Sequence, residues 1–220
     1  MALNWVSWLA KSPLKRHLVS QLGNPRGFLG RALGNTMNRS NLKMSKHAIA
    51  QLELKEGDTV IEVGFGGGVA LPLLLEAVGA CGKVVGVDRS QDMLDGAEDA
   101  FAAALTSAHL DLFLGELPQW PVGLPLADGI LAVNVVYFWT EPEACVKTLA
   151  EALKPGGRLS LCFRPPEVAA ILGLDKVGFN TVKTEDVLAW MRAAGLEEAR
   201  IESIPEGKFL AHAAVASKPN

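Results

Sequence analysis

The stretch VIEVGFGGGVALPLLL, residues 60–75, decides the fold. It joins an apolar run of strand length to an apolar run of helix length through Gly64, Gly66, Gly67 and Gly68, with Glu62 just ahead of the glycines. A glycine-rich turn between a buried strand and a helix lets a ligand approach the backbone and meet the amino end of that helix. A tight turn without a ligand needs one glycine or two, so four point to a bound nucleotide. A dinucleotide turn reads G-x-G-x-x-G, its third glycine allowing close helix packing beside a pyrophosphate. That third position is Val69 counted from Gly64 and Leu71 counted from Gly66.

The pattern present is acid-x-G-x-G-x-G, from Glu62 through Gly68. An acid at the strand end repels a pyrophosphate but accepts hydrogen bonds from an ammonium. A second strand-like run, VVGVDRSQDML, carries Asp88 twenty residues beyond Gly68, where an acid can take both hydroxyls of a ribose. Asp88 alone fits a nicotinamide enzyme equally well. Together with Glu62 it favours a nucleoside bearing a zwitterionic amino acid, S-adenosylmethionine.

Outward from this motif, apolar runs near 59–64, 84–88, 110–114, 130–136 and 158–164 alternate with amphipathic stretches near 68–79, 90–105, 143–153 and 184–194. That rhythm belongs to a parallel sheet covered by helices. The runs ARIESI and FLAHAAVA, separated by PEGK, then predict a closing hairpin in which one strand opposes the rest. Residues 1–56 read as a separate helical arm, with a start signal at SPLKRHLVSQL, a break at GNPRG and a resumption at RSNLKMSKHAIAQLEL.

The chain has 220 residues, 49% of them hydrophobic, and suits one compact domain with an appendage. Its three cysteines, Cys81, Cys145 and Cys162, form neither a disulfide framework nor a zinc knuckle and fit a reducing cytoplasm. The apolar start MALNWVSWLAKSP is too short for a signal peptide or a spanning helix. Residues 1–52 hold eight Lys or Arg and no acid, so the remainder totals −11 against the chain's −3. Such an arm can meet an anionic membrane with Trp5 and Trp8, form a dimer contact, or pack over the acidic domain of its own chain.

IEVGFGGG, VVGVDRSQDML, LGELP at 114–118, LADGILAVNVVYFW at 126–139 and ALKPGGRLSLCF at 152–163 resemble, in that order, the successive motifs of class I S-adenosylmethionine-dependent methyltransferases. The likeness covers roughly residues 45–216 and is greatest to the bacterial group containing ubiquinone and menaquinone biosynthesis methyltransferases. It implies an α/β, Rossmann-like three-layer sandwich: a seven-stranded, mostly parallel sheet ending in an antiparallel hairpin, with a helical lid at residues 1–56 and the catalytic domain at 57–220. It implies further that Glu62, Gly64, Phe65, Gly66 and Gly68 hold the methionine moiety of S-adenosylmethionine, and Asp88 the ribose. Arg89 and Met93 then flank the adenine, Gly115, Glu116 and Leu117 approach its amino group and ring, and Asn134 borders the methyl group. Phe65 departs from the Cys or Ala common at its place, which alters packing rather than chemistry.

A sulfonium already activates its methyl group, so such an enzyme mainly holds a nucleophile in line and excludes water. Tyr137 and His47 are the candidates for a direct catalytic role, ahead of His17 on the basic arm, while His109 and His212 are better placed for structure. Tyr137, Phe138, Trp139 and Arg164, with the segment 164–180, are expected to face a small apolar or aromatic acceptor. VVYFWTEP lacks the paired prolines of enzymes that methylate base or glutamine amines, and the acidic domain argues against a nucleic-acid track. No cluster of acids and histidines suggests a metal. The competing readings are a lipid or quinone methyltransferase with its arm on a membrane, a nicotinamide-dependent oxidoreductase, and a non-catalytic relative.

Overall fold

The computed structural model describes residues 41–172, 179–206 and 209–220. The expectations for Trp5, Trp8, His17 and the helix at SPLKRHLVSQL, and for part of the segment 164–180, lie outside these residues. The described chain begins with helical residues 41–50, here α1. Then come β1 (Thr59–Val63), α2 (Leu71–Val78), β2 (Lys83–Asp88), α3 (Gln91–Ala100), α4 (Ala102–Thr106), β3 (Leu110–Leu114) and β4 (Ala127–Val133). A 3-10 turn (Val136–Phe138) leads into α5 (Pro142–Glu151), β5 (Leu153–Phe163), α6 (Pro166–Leu172), α7 (Thr184–Ala193), β6 (Glu197–Glu206) and β7 (Phe209–Ser217).

The seven strands lie in the order β3-β2-β1-β4-β5-β7-β6. β1 pairs in parallel with β2 and β4, β2 with β3, and β4 with β5, while β7 runs antiparallel to both β5 and β6. The expected hairpin therefore enters the sheet with its second strand inside and its first at the edge. The chain travels outward through β2 and β3, then returns to the other side of β1 for β4. Ligands in open α/β sheets bind beyond the carboxyl ends of the strands where that order reverses. Here this places the site between β1 and β4.

Period-two alternation divides the core between the two sheet faces. Ile61, Val85, Ile130 and Leu159 pack with Cys145, Val146 and Leu149 of α5 and with Val187 and Met191 of α7. Val60, Val84, Leu131 and Cys162 pack on the opposite side with Leu71 and Leu74 of α2, Met93 and Leu94 of α3, and Met44 and Ala48 of α1. Glu62 and Asp88 share the strand parity of Val60 and Val84, so both acids belong to the α1–α3 side. Met44 and Ala48 are fully buried, which builds the carboxyl end of the basic arm into the core of this face.

Local sequence accounts for the helix limits. Pro72 sits in the first turn of α2, where a missing N–H costs nothing, and Gly79 ends the helix at φ 67°. The single helix expected over 90–105 is two, because Phe101 leaves helical geometry at φ −117°, ψ 23°. β4 begins and ends three residues before its expected limits, since Asn134 at φ 57° turns the chain out of the sheet. β5 extends back through KPGG, with a register shift against β4 between Ala127 and Gly129. Among the described residues, no helix is long and apolar enough to cross a membrane.

Candidate active site

A cleft opens at the reversal of strand order. Eleven of the twelve residues expected at the cofactor line it: Glu62, Gly64, Phe65, Gly66, Asp88, Arg89, Met93, Gly115, Glu116, Leu117 and Asn134. Gly68 does not, because a Cβ there would meet the Phe101 ring at 3.0 Å. Phe138 and Trp139 also line the cleft, as do Asn41 and Ser45 of α1 and Val135.

The glycine turn is shaped by close contacts on one side and open space on the other. Gly64 has φ 69°, its N–H donates to the Val87 carbonyl at 2.7 Å, and a Cβ would fall 2.3 Å from Val135 Cγ1. Gly66 has φ 53° with nothing within 4 Å of a Cβ position, so its backbone is bared to the cleft. Its N–H donates to Asp88 Oδ2 at 2.8 Å, while Ser90 N–H donates to Oδ1 at 2.9 Å. Asp88 thus ties the first two strand ends together and still keeps lone pairs on both oxygens.

Glu62 is buried, and its Oε2 has no hydrogen-bond partner. Burial, and then the nearby Asp88 carboxylate, push its pKa up to about 8. Asp88 is raised too, chiefly by burial, against the lowering effect of the Gly66 and Ser90 N–H groups and of Arg89. Among the described residues the ionisable groups on the cleft wall are three acids, Glu62, Asp88 and Glu116, and one guanidinium, Arg89. The wall therefore favours a cationic ligand. Arg89 pairs with Glu116 at 2.8 Å and lies 5.1 Å from the centre of the Phe138 ring.

Two expected acceptor contacts sit one layer back. Tyr137 is buried and absent from the cleft wall: its hydroxyl accepts the backbone N–H of Arg164 and donates to Asn134 Oδ1 at 3.4 Å. Arg164 is absent from the wall as well and donates through Nη1 to the same oxygen at 3.2 Å. The placement follows from the turn at Asn134, after which Tyr137 points back under the strand ends. His47 does not line the cleft either, and its Nε2 is buried without a partner. Phe138 packs on Phe179 at 4.9 Å, and Asn180 holds the turn by donating to the carbonyls of Tyr137 and Trp139.

Sequence reading missed Asn41, Ser45 and Val135. Val135 had a signal, since a glycine as tightly fitted as Gly64 implies a neighbour pressed against it. Asn41 had none: its contact with Asn134 spans 93 residues of chain.

Residues 60–157 match the family described as Methyltransferase domain. The chain is 27% identical over 190 residues to the uncharacterized methyltransferase YdaC of Bacillus subtilis, covering 84% of this chain and 97% of that protein. Further curated relatives, 29–31% identical, match about half of this chain and span 27–46% of their own length. Among solved structures, a chain of the Haloferax volcanii complex between the Trm112 methyltransferase activator and a methyltransferase superposes with a TM-score of 0.74 at 22% identity, covering 86% of this chain and 94% of that one. An S-adenosylmethionine-dependent methyltransferase from Aquifex aeolicus gives 0.66 at 22%, covering 85% and 97%. Fold, glycine turn and sequence relatives define a methyltransferase. Residues 60–157 match the methyltransferase domain, the fold is that of the Aquifex aeolicus S-adenosylmethionine-dependent methyltransferase, and S-adenosylmethionine is the cofactor that this likeness implies.

Proposed function

We propose that the protein methylates a small organic acceptor with an apolar or aromatic body. The observation that carries the donor side is Glu62: a buried carboxylate with an unpartnered oxygen, on a cleft wall dominated by acids, suits the ammonium of S-adenosylmethionine. The bared backbone at Gly66 leaves room for the methionine moiety, and the spare lone pairs of Asp88 suit a ribose. Met93 and Leu117 offer apolar surface to the adenine.

Bound S-adenosylmethionine supplies a methyl group already activated by its sulfonium charge. What remains for the protein is position and dryness. Val133, Val135, Phe138 and Trp139 give the acceptor side of the cleft an apolar wall that excludes water. Among the described residues, the wall carries no histidine or tyrosine. This suits an acceptor that reacts once it is held in line, its proton leaving to solvent after transfer.

Titration calorimetry with S-adenosylhomocysteine tests the donor side. Micromolar binding is expected in the native chain, weakened at least about tenfold in Glu62→Gln, where a charged hydrogen bond becomes a neutral one. Asp88→Ala should lose binding as well. Tight binding that neither substitution changes would sink the assignment of these acids. For the acceptor side, small aromatic and aliphatic compounds are screened for product formation. Turnover confined to polar, highly charged acceptors would overturn the apolar reading.

A further inference from the structure

Hydrogen bonding around Asn134 determines how its carboxamide is turned. A guanidinium carries donors only, so the Asn134 atom 3.2 Å from Arg164 Nη1 is the oxygen. Tyr137 gives its hydroxyl proton to the same oxygen, filling the second lone pair. The amide nitrogen then faces α1, donating to Asn41 Oδ1 at 2.9 Å and to the Met44 sulfur at 3.7 Å. All four hydrogen-bonding positions of the Asn134 carboxamide are thereby used within the protein, and it has none to spare for a ligand.

Asn41 is oriented in turn by its contact with Asn134. The atom that meets a donor must be its oxygen, so its NH2 group points away from Asn134. Asn41 lines the cleft together with the apolar Val133, Val135, Phe138 and Trp139. With its oxygen taken by Asn134, the amide NH2 of Asn41 is the donor it can offer to a ligand on this wall, and a hydrogen bond there discriminates between ligands that can and cannot accept it.

Resting on the apolar-acceptor reading above, we propose that Asn41 donates a hydrogen bond to a neutral oxygen of the methyl acceptor, whose class is an apolar or aromatic molecule bearing a hydroxyl or carbonyl group. A neutral oxygen fits better than a carboxylate because the cleft already carries three acids against Arg89. Arg164 and Tyr137 act through Asn134 as positioning residues.

The test uses the full chain loaded with S-adenosylhomocysteine and three probes of one shape, toluene, benzyl alcohol and benzylamine, titrated by ligand-observed NMR. In Asn41→Leu the affinity for benzyl alcohol relative to toluene should fall about five- to tenfold, the worth of one hydrogen bond. In Asn41→Asp, which keeps the shape and reverses the polarity, preference should move to the benzylammonium ion. If Asn41→Leu fails to fold, the isosteric variant still decides. Toluene binding with an alcohol preference that neither variant alters overturns this proposal alone. Failure of toluene and benzyl alcohol alike to bind the loaded native chain overturns the apolar-acceptor reading with it.

Discussion

Glu62 is a strand residue whose burial has a measurable cost. Its carboxyl ordinarily ionises at 4.5 and in the folded chain at about 8, so across that interval the folded protein keeps a proton that the unfolded chain releases. The unfolded state then binds fewer protons, and stability falls as pH rises. The contribution is full below about 4.5 and is lost as pH passes about 8. One pKa unit is worth about 1.4 kcal/mol, so the loss amounts to a few kcal/mol. Thermal melting of the ligand-free protein from pH 5 to pH 9 should show Tm falling by several degrees, with most of that slope gone in Glu62→Gln. A slope unchanged in the variant would mean that another group carries it. An ammonium in the cleft favours the charged carboxylate, so cofactor binding near pH 7 should release a proton. Calorimetry in buffers of different ionisation enthalpy reads that release directly.

At the scale of elements, the turn between β1 and α2 separates two uses of glycine. Gly64→Ala drives a methyl group to 2.3 Å from Val135 and demands a left-handed alanine, so it should destabilise the fold itself. Gly66→Ala meets nothing and pays only the left-handed penalty of about 1–2 kcal/mol. Its methyl group instead enters the open cleft. Melting and S-adenosylhomocysteine titration should therefore part company: Gly64→Ala melts much lower, while Gly66→Ala melts within several degrees of the native chain and binds at least about tenfold more weakly. Equal loss of binding with no difference in melting would show that the two glycines serve the same purpose. The turn was legible because its glycines, its acid and Asp88 lie within 27 residues of chain. The elements read less well where tertiary contacts decide, as at Phe101, which splits one expected helix in two, and at Asn134, which ends β4 early. Tyr137 and Arg164 were found as chemistry-bearing residues but placed one layer too far forward, since no spacing rule describes a side chain folded back under its own strand.

For the molecule as a whole, the seven strands and their mixed directions follow from the rhythm of apolar runs and the final hairpin. The contribution of α1 does not. A basic, acid-free stretch reads as an appendage, yet Met44, Ala48 and Leu52 are buried in the core that holds β1 and α2. Truncating a buried Met or Leu to Ala costs about 2–5 kcal/mol, a large share of the ~5–15 kcal/mol that a domain possesses. Removing residues 1–53 should therefore abolish cooperative unfolding, whereas a chain starting at residue 40 should retain it. Circular dichroism melts of the two truncations decide, and a cooperative melt in the shorter chain would show that the core closes without α1.

Strand order in the last third of the sheet also has a consequence for how the chain leaves the ribosome. β6 is synthesised before β7, but its place in the sheet is reached only through β7, which lies between it and β5. Until residues 209–217 emerge, the nascent protein carries an open edge on β5 and a ten-residue strand with nothing to pair against. Exposed edges invite pairing with other chains, and charged side chains discourage it. Glu197, Glu198, Arg200 and Glu202 on the waiting strand supply that protection during the interval when the sheet is still incomplete.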